Sequence, residues 1–483
     1  MNFNSLEYLL FLPTVLILYF LLPKPIKNPM LLAASFFFYM CWEPKYALLM
    51  LLSIVLTYLC GIFTEKEFAG RKKLWLVLCL ITNLGILFFF KYFNFCTDTL
   101  SRVFSLFGTK QALPTLNVLL PVGISFYTFQ ALGYAIDVYR GDIKAEKNFI
   151  DYALFVSFFP QLVAGPIERT SNIIPQLKKS HKFRFTNLRD GFLLIIWGMM
   201  KKVLIADTLA IVVNVAYNDP HNYNGIQLAF ATLCFSFQIY CDFSAYSDIA
   251  RGSARIMNVE LMRNFDFPYG AQSIKDFWRR WHISLSTWFK DYLYFPLGGS
   301  RVSKIRRCLN LMIVFLVSGL WHGAAMTYVV WGFLHGIYQV IGMLALPLKQ
   351  KLYSKICKDN PVLSALRIAG TFILVNIAWI LFRANSLSDA FGIFKKILLI
   401  PVNEYKLDLP VFGLSNSTLF IMFISVAVLI LIDRANRNKP IAKIINNTVW
   451  LKYAVYLIIL LSILLFGYYG PGFDPQSFVY FQF

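Results

Sequence analysis

Acidic residues are scarce in this chain: 25 Asp and Glu stand against 46 Lys and Arg in 483 residues, and all four types together make up only 15% of it. Histidine is scarcer still, with five, at 181, 221, 282, 322 and 335. There is no CxxC pair, no Cys/His metal spacing and no HExxH, so neither a metal site nor a bound cofactor is expected. The absence of a P-loop, a dinucleotide fingerprint and a GxSxG elbow argues against nucleotide chemistry and against Ser244 or Ser247 as a covalent nucleophile. The eight cysteines lie mostly in apolar runs and read as small hydrophobes.

What fills the chain instead is hydrocarbon. Hydrophobic residues make up 58% and aromatics 17%, and many uncharged runs approach or exceed the roughly 20 residues that cross a bilayer core. The fold class predicted is all-α, a polytopic integral membrane protein with about eleven or twelve spans across residues 1–483, the runs 8–22, 30–42, 115–133 and 191–216 among them. The run 8–22 carries no basic n-region and no small-residue cleavage site, so it reads as a retained helix. The net charge of +21 falls in short segments between apolar runs, as the positive-inside rule expects. Membrane lipid, and no nucleic acid, is the partner it implies. Basic loops at 24–28 and 64–73 place the N-terminus outside, in a cytoplasmic membrane. Basic residues on the inner face also attract anionic headgroups or a phosphate-bearing substrate, at about 1 kcal/mol each.

Three features depart from plain spans. Segments 134–147 and 168–190 are both basic although an apolar run lies between them, and that run contains Pro160, Gly165 and Pro166. A re-entrant stretch over 158–168 lining a cavity, or a proline-kinked helix, accounts for this. Residues 251–308 carry eleven Lys and Arg against four Asp and Glu, which predicts a cytoplasmic-side helical region. Within it Trp278, Trp281, His282, Leu285, Trp288, Phe289 and Tyr292 recur at helical spacing, predicting one aromatic face on an interfacial helix. Third, His322 stands near the middle of 308–348, a stretch free of Asp, Glu, Lys and Arg.

An ionisable group at bilayer depth is a functional candidate by default, against the alternative of a neutral histidine packed in a bundle. Imidazole titrates near neutrality, so His322 and His282 can take a proton from a hydroxyl and return it. An acyl thioester donor suits such a site, being activated without metal. Gln130, Gln161, Gln238, Asp242, Ser244 and Trp321 are further residues that either line the same cavity or form buried interhelical hydrogen bonds. So are Asp137, Tyr139, Tyr246 and Asp248. Arg279 and Arg280 could hold donor phosphates or simply encode orientation.

Five runs then act together: Leu-Pro-Val-Gly-Ile-Ser-Phe at 120–126, Pro-Gln-Leu-Val-Ala-Gly-Pro-Ile at 160–167, Asp-Phe-Trp-Arg-Arg-Trp-His-Ile-Ser-Leu-Ser at 276–286, Tyr-Phe-Pro-Leu-Gly-Gly at 294–299 and Trp-His-Gly at 321–323. In these the chain resembles the membrane-bound O-acyltransferases, specifically their alginate O-acetyltransferase-like branch. The resemblance implies helices around a funnel or tunnel and His322 as the catalytic histidine, with His282 as the second characteristic one. It also implies an acyl group passed from a cytoplasmic thioester, acetyl-CoA or an acyl carrier, to an outer polysaccharide acceptor, with a secreted or membrane-anchored acetyltransferase as partner. The tail 470–483 looks like the ending of this branch and favours acetyl over D-alanyl transfer to teichoic acid. By the same resemblance Tyr480 is an acyl relay, or else an aromatic anchor at the outer interface. A transporter or flippase is the reading from another class, since broken helices and a polar midplane suit it too.

Overall fold

The computed structural model of the chain describes residues 1–66, 70–108, 113–347, 360–400, 407, 409–438, 448–467 and 478. Every regular element among the described residues is helical. Among the described residues eight helices are long and apolar enough to cross a membrane: Lys45–Glu65, Lys72–Leu106, Gly225–Ile256, Lys304–His322, Met326–Leu344, Pro361–Arg383, Ser417–Arg437 and Val449–Phe466. The chain is a multi-pass membrane protein. The other expected spans fall in shorter or interrupted helices. Run 8–22 lies in Leu6–Leu21, run 30–42 in Lys24–Met40, and run 115–133 only partly in Ile124–Arg140. Run 191–216 is interrupted by a π-turn at Lys201–Ala206.

Packing divides the chain into two compact units, Met1–Ile195 with Tyr246–Met262, and Ile196–Ala245 with Arg263–Phe483. In the first, Asn148 caps the helix Phe149–Ser157 by accepting from the N–H groups of Ile150 and Asp151. That helix stops ahead of Pro160, because proline pushes the residue before it out of the helical region. From 158 to 168 the chain is buried and non-helical, so the broken segment is not a kinked helix.

Hydrogen bonds from its backbone and side chains tie the segment to its neighbours, as buried non-helical chain requires. The Phe159 N–H donates to Ser35 Oγ at 3.1 Å. The Phe155 carbonyl accepts from Gln130 Nε2 at 2.5 Å and from Gln161 Nε2 at 2.9 Å. Only glycine fits at 165, where a Cβ would sit 2.3 Å from the Gln161 Cα. Glu168 closes the segment, accepting from the Met262 N–H at 2.5 Å and from Asn172 Nδ2 at 2.8 Å.

The second unit is built on the antiparallel pair Lys304–His322 and Met326–Leu344. A Cβ on Gly319 would lie 2.2 Å from the Tyr328 carbonyl oxygen, and one on Gly332 would lie 2.3 Å from that of Phe315. Bare backbone at these two points lets the helices close, the usual device where lipid gives no hydrophobic drive between them. Trp331 and Trp379 stack at 6.1 Å beside this pair, and Trp281 packs on Trp379 at 5.1 Å.

The aromatic face predicted for one helix is carried by two. Ile274–Arg280 ends at Trp281, and Ile283–Phe289 begins after His282. His282 itself has φ +44°, a left-handed conformation costly for a residue with a Cβ. Asn264 holds the turn: its carbonyl accepts from the Ile283 N–H at 3.0 Å, and its Oδ1 accepts from the Ser284 hydroxyl at 2.6 Å. Trp278, Trp281, Leu285, Trp288 and Phe289 are all buried in this unit.

Candidate active site

His322 is the last residue of its helix, with Gly323 capping it in extended conformation. Its ring is enclosed edge to face by Trp321 at 5.0 Å, Trp331 at 5.1 Å and Phe382 at 5.3 Å between centroids. The His282 ring lies 6.4 Å from it and packs on Phe243 at 4.6 Å and on Trp321 at 5.8 Å. Two histidines forty residues apart in sequence thus share one buried aromatic enclosure, with Trp321 touching both. The outlier backbone at His282 aims its ring there. Strained residues of this kind are worth about 1–3 kcal/mol and cluster at functional sites.

Burial pushes the His282 imidazole down to about 3. It is therefore neutral at physiological pH, able to accept a hydrogen bond or a transient proton without carrying a standing charge. A third histidine, His335, joins the edge of the same cluster. Its Nδ1 accepts from Trp278 Nε1 at 3.3 Å and its ring lies 4.9 Å from Trp331. Its sequence context gave one signal, since it shares the uncharged stretch 308–348 with His322, but no motif surrounds it.

The remaining predicted residues separate. Trp321 belongs to the enclosure. Gln130 and Gln161 lie in the first unit, both donating to the Phe155 carbonyl. Gln238, in the second unit, is buried with its Oε1 lacking a hydrogen-bond partner among the described residues. Asp242 and Ser244 accept from buried lysines, Asp242 from Lys202 and Ser244 from Lys201. Arg280 is held by Asp276 one helical turn away, in an ion pair of 2.5 Å, while Arg279 is exposed. Tyr480 lies outside the described residues.

Sequence reasoning missed the lysines. Lys201, Lys202 and Asp207 are buried charges inside an apolar run, and two adjacent lysines in such a run were the available signal. Among the described residues no group of three or more His, Cys, Asp or Glu is placed to hold a metal ion. The enclosure sets the neutral imidazole of His282 beside His322, both buried, which suits proton transfer between a hydroxyl and a leaving group.

Residues 143–357 match the family model described as MBOAT, membrane-bound O-acyltransferase family. The chain is 40% identical over 403 residues to a probable alginate O-acetylase of Pseudomonas aeruginosa, covering 82% of this chain and 74% of that protein. It is 36% identical to a probable alginate O-acetylase of Pseudomonas putida over the whole of both chains. To the peptidoglycan O-acetyltransferase of Helicobacter pylori it is 38% identical, over 80% of this chain and 77% of that one. An enclosure built around the Trp-His-Gly run, and relatives matched over most or all of their length, lead to one conclusion: the chain belongs to the membrane-bound O-acyltransferase family and is an acyltransferase.

Proposed function

We propose that this protein O-acetylates a secreted or cell-wall polysaccharide, drawing the acetyl group from a thioester on the cytoplasmic side of the cell membrane. The relatives' names supply the acceptor class, with alginate and peptidoglycan both among them. The observation that carries the site is the pairing of His322 and His282 within one buried enclosure. In this reading His322 is the general base. It takes the proton of an acceptor hydroxyl as oxygen attacks the thioester carbonyl. The new C–O bond forms, the C–S bond breaks, and the proton passes to the departing thiolate. His282, neutral because it is buried, orients the reacting group and takes up no competing proton.

The donor is acetyl-CoA or an acyl carrier, and of the two arginines Arg279 is the one exposed to meet its phosphates. Tyr480 would hold the acyl group before a secreted or membrane-anchored acetyltransferase receives it on the outer side. D-alanyl transfer to teichoic acid is disfavoured by the tail, and passive transport would need no base in the enclosure.

The test is acyl transfer by purified protein in lipid. His322→Ala should cost roughly 10²–10⁴ in rate, the usual worth of general-base catalysis, with the variant still eluting as folded protein. Transfer at the parental rate would end the catalytic assignment. Substrate flux across proteoliposomes without thioester cleavage would favour transport.

A further inference from the structure

Asp242, Phe243 and Ser244 are consecutive on the helix Gly225–Ile256, and the proposed reaction uses none of them. Lys202 Nζ donates to Asp242 Oδ1 at 2.8 Å and pairs on its other side with Asp207 Oδ1 at 2.9 Å, each of these side chains no more than 2% exposed. Lys201 Nζ donates to Ser244 Oγ at 2.9 Å. Between these two contacts the Phe243 ring packs edge-on against the His282 imidazole at 4.6 Å and against Phe265 at 5.1 Å. Phe265 follows Asn264, the residue that holds the left-handed turn at His282. One ring thus touches both the imidazole and the segment that fixes its backbone.

Side chains step about 100° around a helix, so Asp242 and Ser244 point to either side of Phe243, and the two lysines that reach them approach from behind it. Lys201 and Lys202 are neighbours in sequence on the π-turn Lys201–Ala206. The extra residue in such a turn fans successive side chains out less than an α-helix does, which lets both face one partner helix, and single-turn π segments recur at functional sites. Ionisable groups so deep in a membrane protein are costly and are functional candidates by default. Apolar side chains would fill the same space, but they accept several registers. A buried ammonium bonded to a named oxygen accepts one, and fixing register is the best-attested use of buried polar contacts.

We propose that Lys201 and Lys202 are positioning residues for acyl transfer, clamping their partner helix at Ser244 and Asp242 so that Phe243, between those points, seats the His282 ring beside His322. Neither lysine touches the reacting atoms. They act through Phe243, and Phe243 acts through His282. The effect on rate rests on the acyl-transfer reading, while the seating of His282 does not.

The experiment uses the full-length protein in lipid nanodiscs, with each variant checked for monodisperse elution. Removing Lys202 would strand two buried carboxylates, so the groups the lysines act on are varied instead: Ser244→Ala takes away one grip, and Phe243→Leu takes away the ring. Modification of each histidine by diethyl pyrocarbonate is followed by peptide mass, together with acyl transfer from a thioester. His335, buried in the same unit against Trp278 and Trp331, is the internal control. In the parent both histidines should react slowly. In each variant His282 should react about tenfold faster with His335 unchanged, and kcat should fall about tenfold with donor KM unchanged, the worth of one hydrogen bond from a charged group. Faster reaction of both histidines together would show general loosening of the unit and overturn the clamp. Parental reactivity of His282 in Ser244→Ala would overturn it as well, and faster labelling with parental kcat would overturn its part in the reaction. Absence of transfer in every protein, with the labelling as expected, would sink the acyl-transfer reading and leave the seating of His282 standing.

Discussion

Glu168 ends the broken segment with a carboxyl group that burial pushes up to about 7, against the opposing pull of its bonds from Asn172 and Met262. Unfolded, it titrates near 4.5. Its folded form therefore keeps a proton that the unfolded chain has already lost, and the stability this contributes is present below 4.5 and lost as pH rises towards 7. The slope is at most about 1.4 kcal/mol per pH unit. Thermal unfolding in detergent between pH 5 and 7 should show parental stability declining with pH, and Glu168→Gln should flatten the decline; equal slopes would contradict the assignment. His282 works in the opposite sense. It is neutral when folded and titrates near 6.5 unfolded, so stability is lost as pH falls from 6.5 towards 3. His282→Gln should remove that acid-side loss. His282 should also leave no inflection in the transfer rate between pH 5 and 8.

Helices bring these residues together only because backbone meets backbone at chosen points. Gly332→Ala would drive a methyl group to 2.3 Å from the Phe315 carbonyl, and Gly165→Ala would drive one to 2.3 Å from the Gln161 Cα. Neither neighbour can rotate away. Both substitutions should lower the thermal midpoint and folded yield, by the roughly 1–3 kcal/mol of an overpacked core or more. An alanine of parental stability at either position would show that these contacts yield. The break at 158–168 was legible because proline and glycine announce it. The break at Trp281–His282 was not: no proline or glycine marks it, and the aromatic periodicity runs on across the turn. What bends the chain there is Asn264, eighteen residues away from His282, and a one-dimensional pattern carries no trace of that bond.

Across the whole molecule, apolar runs sufficed to read a multi-pass helical protein, and the basic loops led to an expected orientation with the N-terminus outside. A cysteine placed near Asn222 should therefore react with an impermeant reagent from outside, and one near Lys304 should not; the reverse would overturn an outer N-terminus. The candidate site was legible only through linked motifs. Nothing in spacing alone says that residues 282 and 322 share an enclosure. The buried pair of Lys202 and Asp242 was less legible still, since forty residues separate the two and nothing in spacing says that they meet. That separation bears on how the protein is made. Lys201, Lys202 and Asp207 reach the insertion machinery before Asp242 has been synthesised, and each such residue at a helix centre opposes partitioning into lipid by about 2.5–3.5 kcal/mol. The helical stretch that carries them holds one counter-charge of its own, Asp207, and gains the second, Asp242, only from the next long helix. Insertion of the first stretch is therefore easier once the second is there to complete the pair.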